Sequence, residues 1–324
     1  MLNFKSKNKM EAEKRTPGKP GQKNRNVFIT GVTGYIGGSV AERLVANGYN
    51  VSGLVRTEDQ EKIEQLKARS ITAVIGSLDD FDIITQAAQA ADVVIHTANV
   101  DHVDSVFTLV AALERSGKTL ITTTGSSIVT DHADGEYEGC IFHTEDTYFE
   151  PLPYRIPRVD INRYVRQASI DKGIRTIVVC PSMVYGKGKG LQPDSDQIPK
   201  LIGLSQKEGA GMYFGKGLNR YSNVHINDLT NLYLLALEKA PGGSFFFAEN
   251  GHNSFKEIAD MISQYLGFKG KTTSITIEHV IEYHGEFGRL GVASNSLVKA
   301  VNAKRLGWSP KAPSLADYFE KIGK

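Results

Sequence analysis

Three glycines and one arginine carry the first chemistry in this 324-residue chain. Gly31, Gly34 and Gly37 stand in the run Gly31-Val-Thr-Gly34-Tyr-Ile-Gly37. The run lies between a β-rich stretch, Asn26–Thr30, and a stretch of helical periodicity, Tyr35–Asn47. Residues without side chains let the backbone turn tightly and approach a pyrophosphate closely. The helix behind them offers unpaired N–H groups and the positive end of its dipole. A strand before and a helix after turn the glycine pattern into a dinucleotide-binding signal. It assigns Gly31, Thr33, Gly34, Tyr35, Ile36 and Gly37 to the cofactor.

Arg56 refines that assignment. It lies nineteen residues past Gly37, at the end of the second β-rich run. An NAD site commonly has an acid there, bonded to the ribose 2′-hydroxyl. An acid would repel a 2′-phosphate, whereas a guanidinium engages it with two parallel bonds. The chemistry favours NADP over NAD. The competing reading is a solvated arginine at a strand end.

Elements that position these residues follow a regular alternation. Strands are expected at Val51–Arg56, Thr72–Ser77, Asp92–Ala98, Thr119–Thr124 and Thr176–Cys180. Helices are expected between them, at Glu58–Ala68, Asp80–Ala90, Val103–Arg115 and Arg158–Lys172. Such alternation means parallel strands with right-handed crossovers, an α/β doubly wound parallel sheet of Rossmann type. After Pro181 glycines and lysines cluster and the connections lengthen. A helix at Asn227–Lys239, a strand at Ser244–Ala248 and a helix at Phe255–Leu266 follow. Ile275–Ile277 reads as a short strand and Ser296–Leu306 as mostly helical. The reading divides the chain into a basic tail (1–25), a nucleotide domain (26–185, with 222–250 returning to it) and a smaller C-terminal substrate lobe (186–221 and 251–324).

Charge and composition exclude several classes. Residues 1–25 hold eight Lys or Arg against two Glu, so the remainder is mildly acidic although the chain's formal charge is +2. A nucleic-acid partner is not expected. The tail has no apolar core, so it is no secretory signal and reads as disordered. No run approaches the ~18 apolar residues of a membrane span. Two cysteines, Cys140 and Cys180, build no disulfide framework or zinc ribbon. A reducing, cytoplasmic setting is the expectation. The eight histidines show no metal spacing, and no metal is expected.

From about Asn26 to Trp308 the chain resembles the extended short-chain dehydrogenase/reductase superfamily, the NAD(P)-dependent epimerase/dehydratase group. His96-Thr-Ala98 resembles the fourth-strand motif whose backbone lines the cofactor. Cys180-Pro-Ser-Met-Val-Tyr-Gly186 resembles the proline-led sixth-strand motif. Val224–Leu229 and Leu306-Gly-Trp308 with Pro310 match later signatures. The resemblance implies cofactor contacts from Thr97, Ala98, Pro181 and Ser182. It places Leu78 beside the adenine, although Ser77 stands where the family usually has an acid. It also implies a homodimer formed through two helices.

In that family a tyrosine, a lysine four residues later and an upstream hydroxyl carry the reaction. The tyrosine exchanges a proton with the substrate oxygen, and the lysine lowers its pKa from near 10. The resemblance maps the tyrosine to Tyr154, nineteen residues before Gly173 and twenty-seven before Pro181. Four residues on stands Arg158, not lysine. The upstream hydroxyl maps to Thr124 or Ser126. Arginine keeps the charge, but its planar fork aims its donors differently. Either Tyr154 and Arg158 form an altered working pair, or the site has decayed and Tyr154 is loop packing.

Other features read as structural. Asp228 is expected to cap the following helix. Lys187, Lys189, Lys216 and Arg220 read as solvated loop residues, with an anion-binding role as the alternative. The expected function is an NADP-dependent oxidoreductase on a small carbonyl or hydroxyl compound. The alternatives are an NAD-dependent sugar epimerase or dehydratase, and a non-catalytic NAD(P)-binding sensor or regulator.

Overall fold

Val27, Phe28 and Ile29 are fully buried, and the sheet is built outward from them. The computed structural model describes residues 25–56 and 60–323. The basic tail up to residue 24, and Glu58 at the expected start of the second helix, lie outside the described residues. In chain order come β1 (Asn26–Thr30), α1 (Tyr35–Ala46), β2 (Asn50–Val55), α2 (Gln60–Ala68), β3 (Ile71–Ile75) and α3 (Phe81–Ala90). Then follow β4 (Val93–His96), α4 (Val103–Leu113), β5 (Thr119–Thr123), α5 (Ile156–Asp171) and β6 (Arg175–Pro181). A short β7 (Met183–Tyr185), α6 (Gln197–Glu208), β8 (Gly211–Phe214), β9 (Arg220–His225), α7 (Ile226–Lys239) and β10 (Ser244–Ala248) continue the chain. It ends with β11 (His252–Ser254), α8 (Phe255–Tyr265), β12 (Thr272–Ile275), α9 (Ile277–Val292), α10 (Val301–Arg305) and α11 (Leu315–Ile322).

Seven strands form one sheet in the order β10-β6-β5-β4-β1-β2-β3, and neighbouring strands pair in parallel. Strand order reverses at β1, where Val27 is in register with Val51 on one side and Val93 on the other. That reversal opens a crevice at the carboxyl ends of the strands, which is where doubly wound sheets bind ligands. Continuous apolar runs suit strands covered on both faces. Phe245, Phe246 and Phe247 of β10 are such a run, all buried.

A second core lies outside the sheet. Met183 and Tyr185 pack there with Leu201, Phe214, Phe255 and Phe319, drawn from β7, α6, β8, α8 and α11. Two of its helices start on reciprocal capping boxes. Ser254 accepts from the Glu257 N–H while Glu257 accepts from the Ser254 N–H, and Ser314 with Asp317 repeats the device.

Three local expectations are corrected. Asp228 does not cap α7, because His225 accepts the Asn227 N–H at 3.1 Å. The Asp228 carboxylate instead accepts the N–H groups of Lys311 and Ala312, both at 2.9 Å, and its carbonyl accepts the Trp308 indole. It therefore pins the C-terminal segment to α7. Ile277 begins α9 rather than ending a strand, since the pairing of β12 with β8 stops at Ile275. Ser296 and Val298 are not helical, because each forms an isolated bridge, to Tyr221 and to His143. Helix α10 is confined to Val301–Arg305.

Candidate active site

Gly31 leaves β1 with φ at +78°, a conformation that glycine adopts without strain. Gly34 donates to the Gly31 carbonyl at 2.9 Å and closes the turn. Gly34 also caps α1 without a side-chain bond, and no acid stands in the first turn. The helix thus presents unblocked N–H groups and a positive dipole end to an anion. A Cβ on Gly37 would lie 2.2 Å from the Gly31 oxygen and 2.3 Å from Thr97 Oγ1. Only hydrogen fits there, so α1 approaches the ends of β1 and β4 closely. Thr97 secures the contact by donating to the Thr30 carbonyl at 2.7 Å, while a Cβ on Gly31 would sit 2.9 Å from the Ala98 nitrogen. This cradle fits a dinucleotide pyrophosphate.

Around the cradle, Thr33 is half-buried and Ile36 packs on the main core. Leu78 packs against the cluster of Phe28 and Leu54. Arg56 is exposed just past β2 and makes no hydrogen bond or ion pair among the described residues. Tyr35 reaches away from the sheet, and its hydroxyl donates to the Gly186 carbonyl at 2.7 Å. His96 is fully enclosed. It shares a hydrogen bond with the Thr30 hydroxyl at 2.8 Å, and burial pulls its pKa down to about 4.

A cavity of about 340 Å³ opens past the carboxyl ends of β5 and β6, between the sheet and the second lobe. Ser126, Ser127, Pro181 and Ser182 line it, together with Arg155, Lys200 and Tyr221. Ser126, Pro181 and Ser182 were thus expected residues that meet in one place. Ser182 donates from its hydroxyl to the Ala248 carbonyl at 2.8 Å. Ser126 Oγ accepts from Ser296 Oγ at 2.9 Å. Thr124, Tyr154 and Arg158 are not among the lining residues. The Thr124 hydroxyl is buried and accepts from the Asn162 amide at 3.2 Å.

Arg158 sits directly behind the lining. It donates to Ser127 Oγ at 3.0 Å and binds both oxygens of Asp101. Asp101 is held below the usual carboxylate range, first by those hydrogen bonds. Tyr154, in the 3-10 turn Pro153–Arg155, is partly exposed. Burial raises its phenol pKa, opposed by a hydrogen bond with Thr130 and by the charges of Arg155 and Arg289. The Arg155 guanidinium lies 5.3 Å from the Tyr154 ring centre. Tyr221 is buried, and burial pushes its phenol up to about 12 against Ser296, Arg155 and Arg158.

Sequence spacing did not single out Asp101, Ser127, Arg155, Lys200 or Tyr221 for the site. The weak clue to Arg155 was its place directly after the candidate tyrosine. Three of the four loop cations considered for anion binding are partnered: Lys187 with Asp194, Lys216 with Glu136, Arg220 with Glu138 and Glu257. Cys140 is exposed, Cys180 is buried, and both are free thiols. Among the described residues no group of three His, Cys, Asp or Glu is placed to hold a metal, and no helix is long and apolar enough to cross a membrane.

Known proteins share this plan. The chain is 29% identical to the oxidase ucsJ of Acremonium sp, over 92% of this chain and 96% of that protein. It is 26% identical to 4-hydroxy-2-methyl-3-oxo-4-farnesyl-3,4-dihydroquinoline-1-oxide ketoreductase of Stigmatella aurantiaca, over 78% of this chain and 76% of that one. In fold it superposes on UDP-glucose 4-epimerase of Thermotoga maritima with a TM-score of 0.72, covering 92% and 97% of the two chains at 19% identity. Residues 27–246 match the profile of the NAD dependent epimerase/dehydratase family. That match runs from β1 into β10 and so takes in the whole sheet, and the chain belongs to this family.

Proposed function

We propose that the chain is an NADP-dependent oxidoreductase that reduces a small carbonyl compound to its alcohol. The observation that carries this reading is Arg56. It presents an exposed guanidinium at the end of β2, with no acid bound to it among the described residues. A guanidinium there favours a 2′-phosphate over a bare ribose. The ketoreductase relative supports the direction of the reaction.

The cradle Gly31–Gly37 and the start of α1 hold the pyrophosphate, while Pro181 and Ser182 border the reacting end. When bound, the reduced dinucleotide supplies the hydride that adds to the carbonyl carbon. Tyr154, at the family's tyrosine position and next to the lining residue Arg155, must turn into the cavity to give its phenol proton to the carbonyl oxygen, and the products are then the alcohol and the oxidised dinucleotide. A phenol is protonated at neutral pH, the form a donor needs, and burial shifts its pKa further up. Of the two upstream hydroxyls, Ser126 faces the cavity and is the one that orients the carbonyl oxygen. Arg158 takes the place of the family lysine and holds Ser127 in position from behind.

One observation favours a second reading. The charge of Arg158 is spent on Asp101, which weakens its hold on Tyr154 and fits a cofactor-binding regulator without turnover. Fluorescence titration of the cofactor-stripped chain with NADPH and with NADH tests the first reading. Tighter NADPH binding, followed by NADPH oxidation with carbonyl compounds, supports it. Tighter NADH binding points to a sugar epimerase or dehydratase. NADPH binding without oxidation across a carbonyl panel leaves the regulator.

A further inference from the structure

We propose that Arg155 anchors a carboxylate, so that the cavity takes a small carbonyl compound bearing one negative charge. The inference rests on the carbonyl-reductase reading and names its substrate class.

Arg155 is 7% exposed and lines the cavity. Its Nε has no hydrogen-bond partner, and its guanidinium forms no ion pair among the described residues. Other enclosed arginines are satisfied. Arg175 donates to the carbonyls of Ala236, Leu237 and Ala240 and to the Thr119 hydroxyl. Arg289 is held by Asp134 through two bonds. The acid whose field reaches Arg155 is Asp101, and both its oxygens are taken by Arg158. The other groups that act electrostatically on it are the phenols of Tyr154 and Tyr221 and the like charge of Arg158. A desolvated cation left this way is costly, and an arriving anion removes the cost.

Charge selects the kind of anion. Lys200 also lines the cavity, but Asp196, which lines it too, neutralises it at 2.6 Å. Among the described residues the cavity therefore offers one uncompensated positive charge, which matches a monoanion better than a dianionic phosphoryl group. The planar fork of arginine matches a planar carboxylate with two parallel bonds. With the carboxylate on Arg155, the Ser126 hydroxyl, which lines the same cavity, is left for the carbonyl oxygen.

Isothermal titration of the full-length chain with benzoate, neutral benzamide and inorganic phosphate tests this, with NADPH titrated separately. Benzoate is expected to bind at least tenfold tighter than benzamide or phosphate. Arg155→Gln is expected to lose at least tenfold in benzoate affinity, and Arg155→Lys to recover part of it. Without ligand, Arg155→Gln is expected to melt at the same temperature as the wild type or higher, because a strained charge is gone. Equal binding of benzoate and benzamide overturns the proposal, as does unchanged benzoate binding in Arg155→Gln. Phosphate binding that is tighter than benzoate and is lost in Arg155→Gln overturns the carboxylate assignment. A lower melting temperature for Arg155→Gln makes the guanidinium structural and also overturns it. Loss of NADPH binding alone overturns the reductase reading and leaves the carboxylate site standing.

Discussion

Arg158 closes a two-point bridge on Asp101, fifty-seven residues away in sequence, with Nε donating to Oδ1 at 2.8 Å. The bridge joins the start of α5 to the loop between β4 and α4, directly behind Ser127. Because the carboxyl is held below its ordinary value, the bridge stabilises the fold above the unfolded value near 3.9. That stability is lost as pH falls through the lower folded value. Asp101→Asn is therefore expected to melt below the wild type at pH 7. The gap should stay constant down to about pH 4 and then shrink. Melting curves from pH 7 to pH 3 check this, and a gap unchanged at pH 3 would speak against it.

Removing the phenol of Tyr154 tests the proton donor. Tyr154→Phe should lower kcat about 10²- to 10⁴-fold, with NADPH affinity unchanged. Burial raises the phenol pKa, so reduction should hold level through neutral pH and fall only above about 10. Wild-type pH–rate profiles that fall between pH 6 and 8 would name a different donor.

Reversing the charge at Arg56 should reverse the cofactor preference. Hydrogen bonds to charged groups contribute roughly 1.5–3 kcal/mol, so Arg56→Glu should lose about 10- to 100-fold in NADPH affinity. NADH binding should hold or improve. Arg56 is exposed, so the melting temperature should barely move. Equal loss of both cofactors would show that the substitution damaged the cradle instead.

His96 sets an acid limit on the sheet. Its folded pKa of about 4 lies below the unfolded value near 6.5. The unfolded chain binds the extra proton between those values, so stability falls as pH drops through that window. The full loss is about 3 kcal/mol for this one residue. Chemical denaturation at pH 7 and pH 4.5 measures it. In His96→Gln the contribution of this site should vanish, leaving a flatter dependence.

Much of this was legible in the order of residues, for physical reasons that can be named. The run from Val27 through Gly37 reads correctly because strand, turn and helix are each decided within a few residues. Ser126, Pro181 and Ser182 were named through the family resemblance, and they meet in the cavity because they sit at or near strand ends, which a parallel sheet gathers at one edge. Arg155 was not legible. Its meaning depends on what fails to reach it, and Asp101 is withheld by Arg158 only once α5 has docked. Tyr221 and Lys200 join the cavity from the other lobe, at separations where no local pattern operates. Ser296 and Val298 misled because their pairing partners, Tyr221 and His143, are distant in the chain.

The loop after β7 lies on α1 with almost no room between them. A Cβ on Gly190 would sit 2.6 Å from the Gly38 Cα, and one on Gly38 would sit 2.9 Å from the Gly190 Cα. The Lys189 N–H bonds Ser39 Oγ at 3.1 Å, beside the Tyr35 hydroxyl on Gly186. The two halves of the molecule are therefore poor modules for recombination. A chimera that takes its C-terminal half from a relative must bring Tyr35, Gly38 and Ser39 along with Gly186 and Gly190, because each side is shaped as the mould of the other.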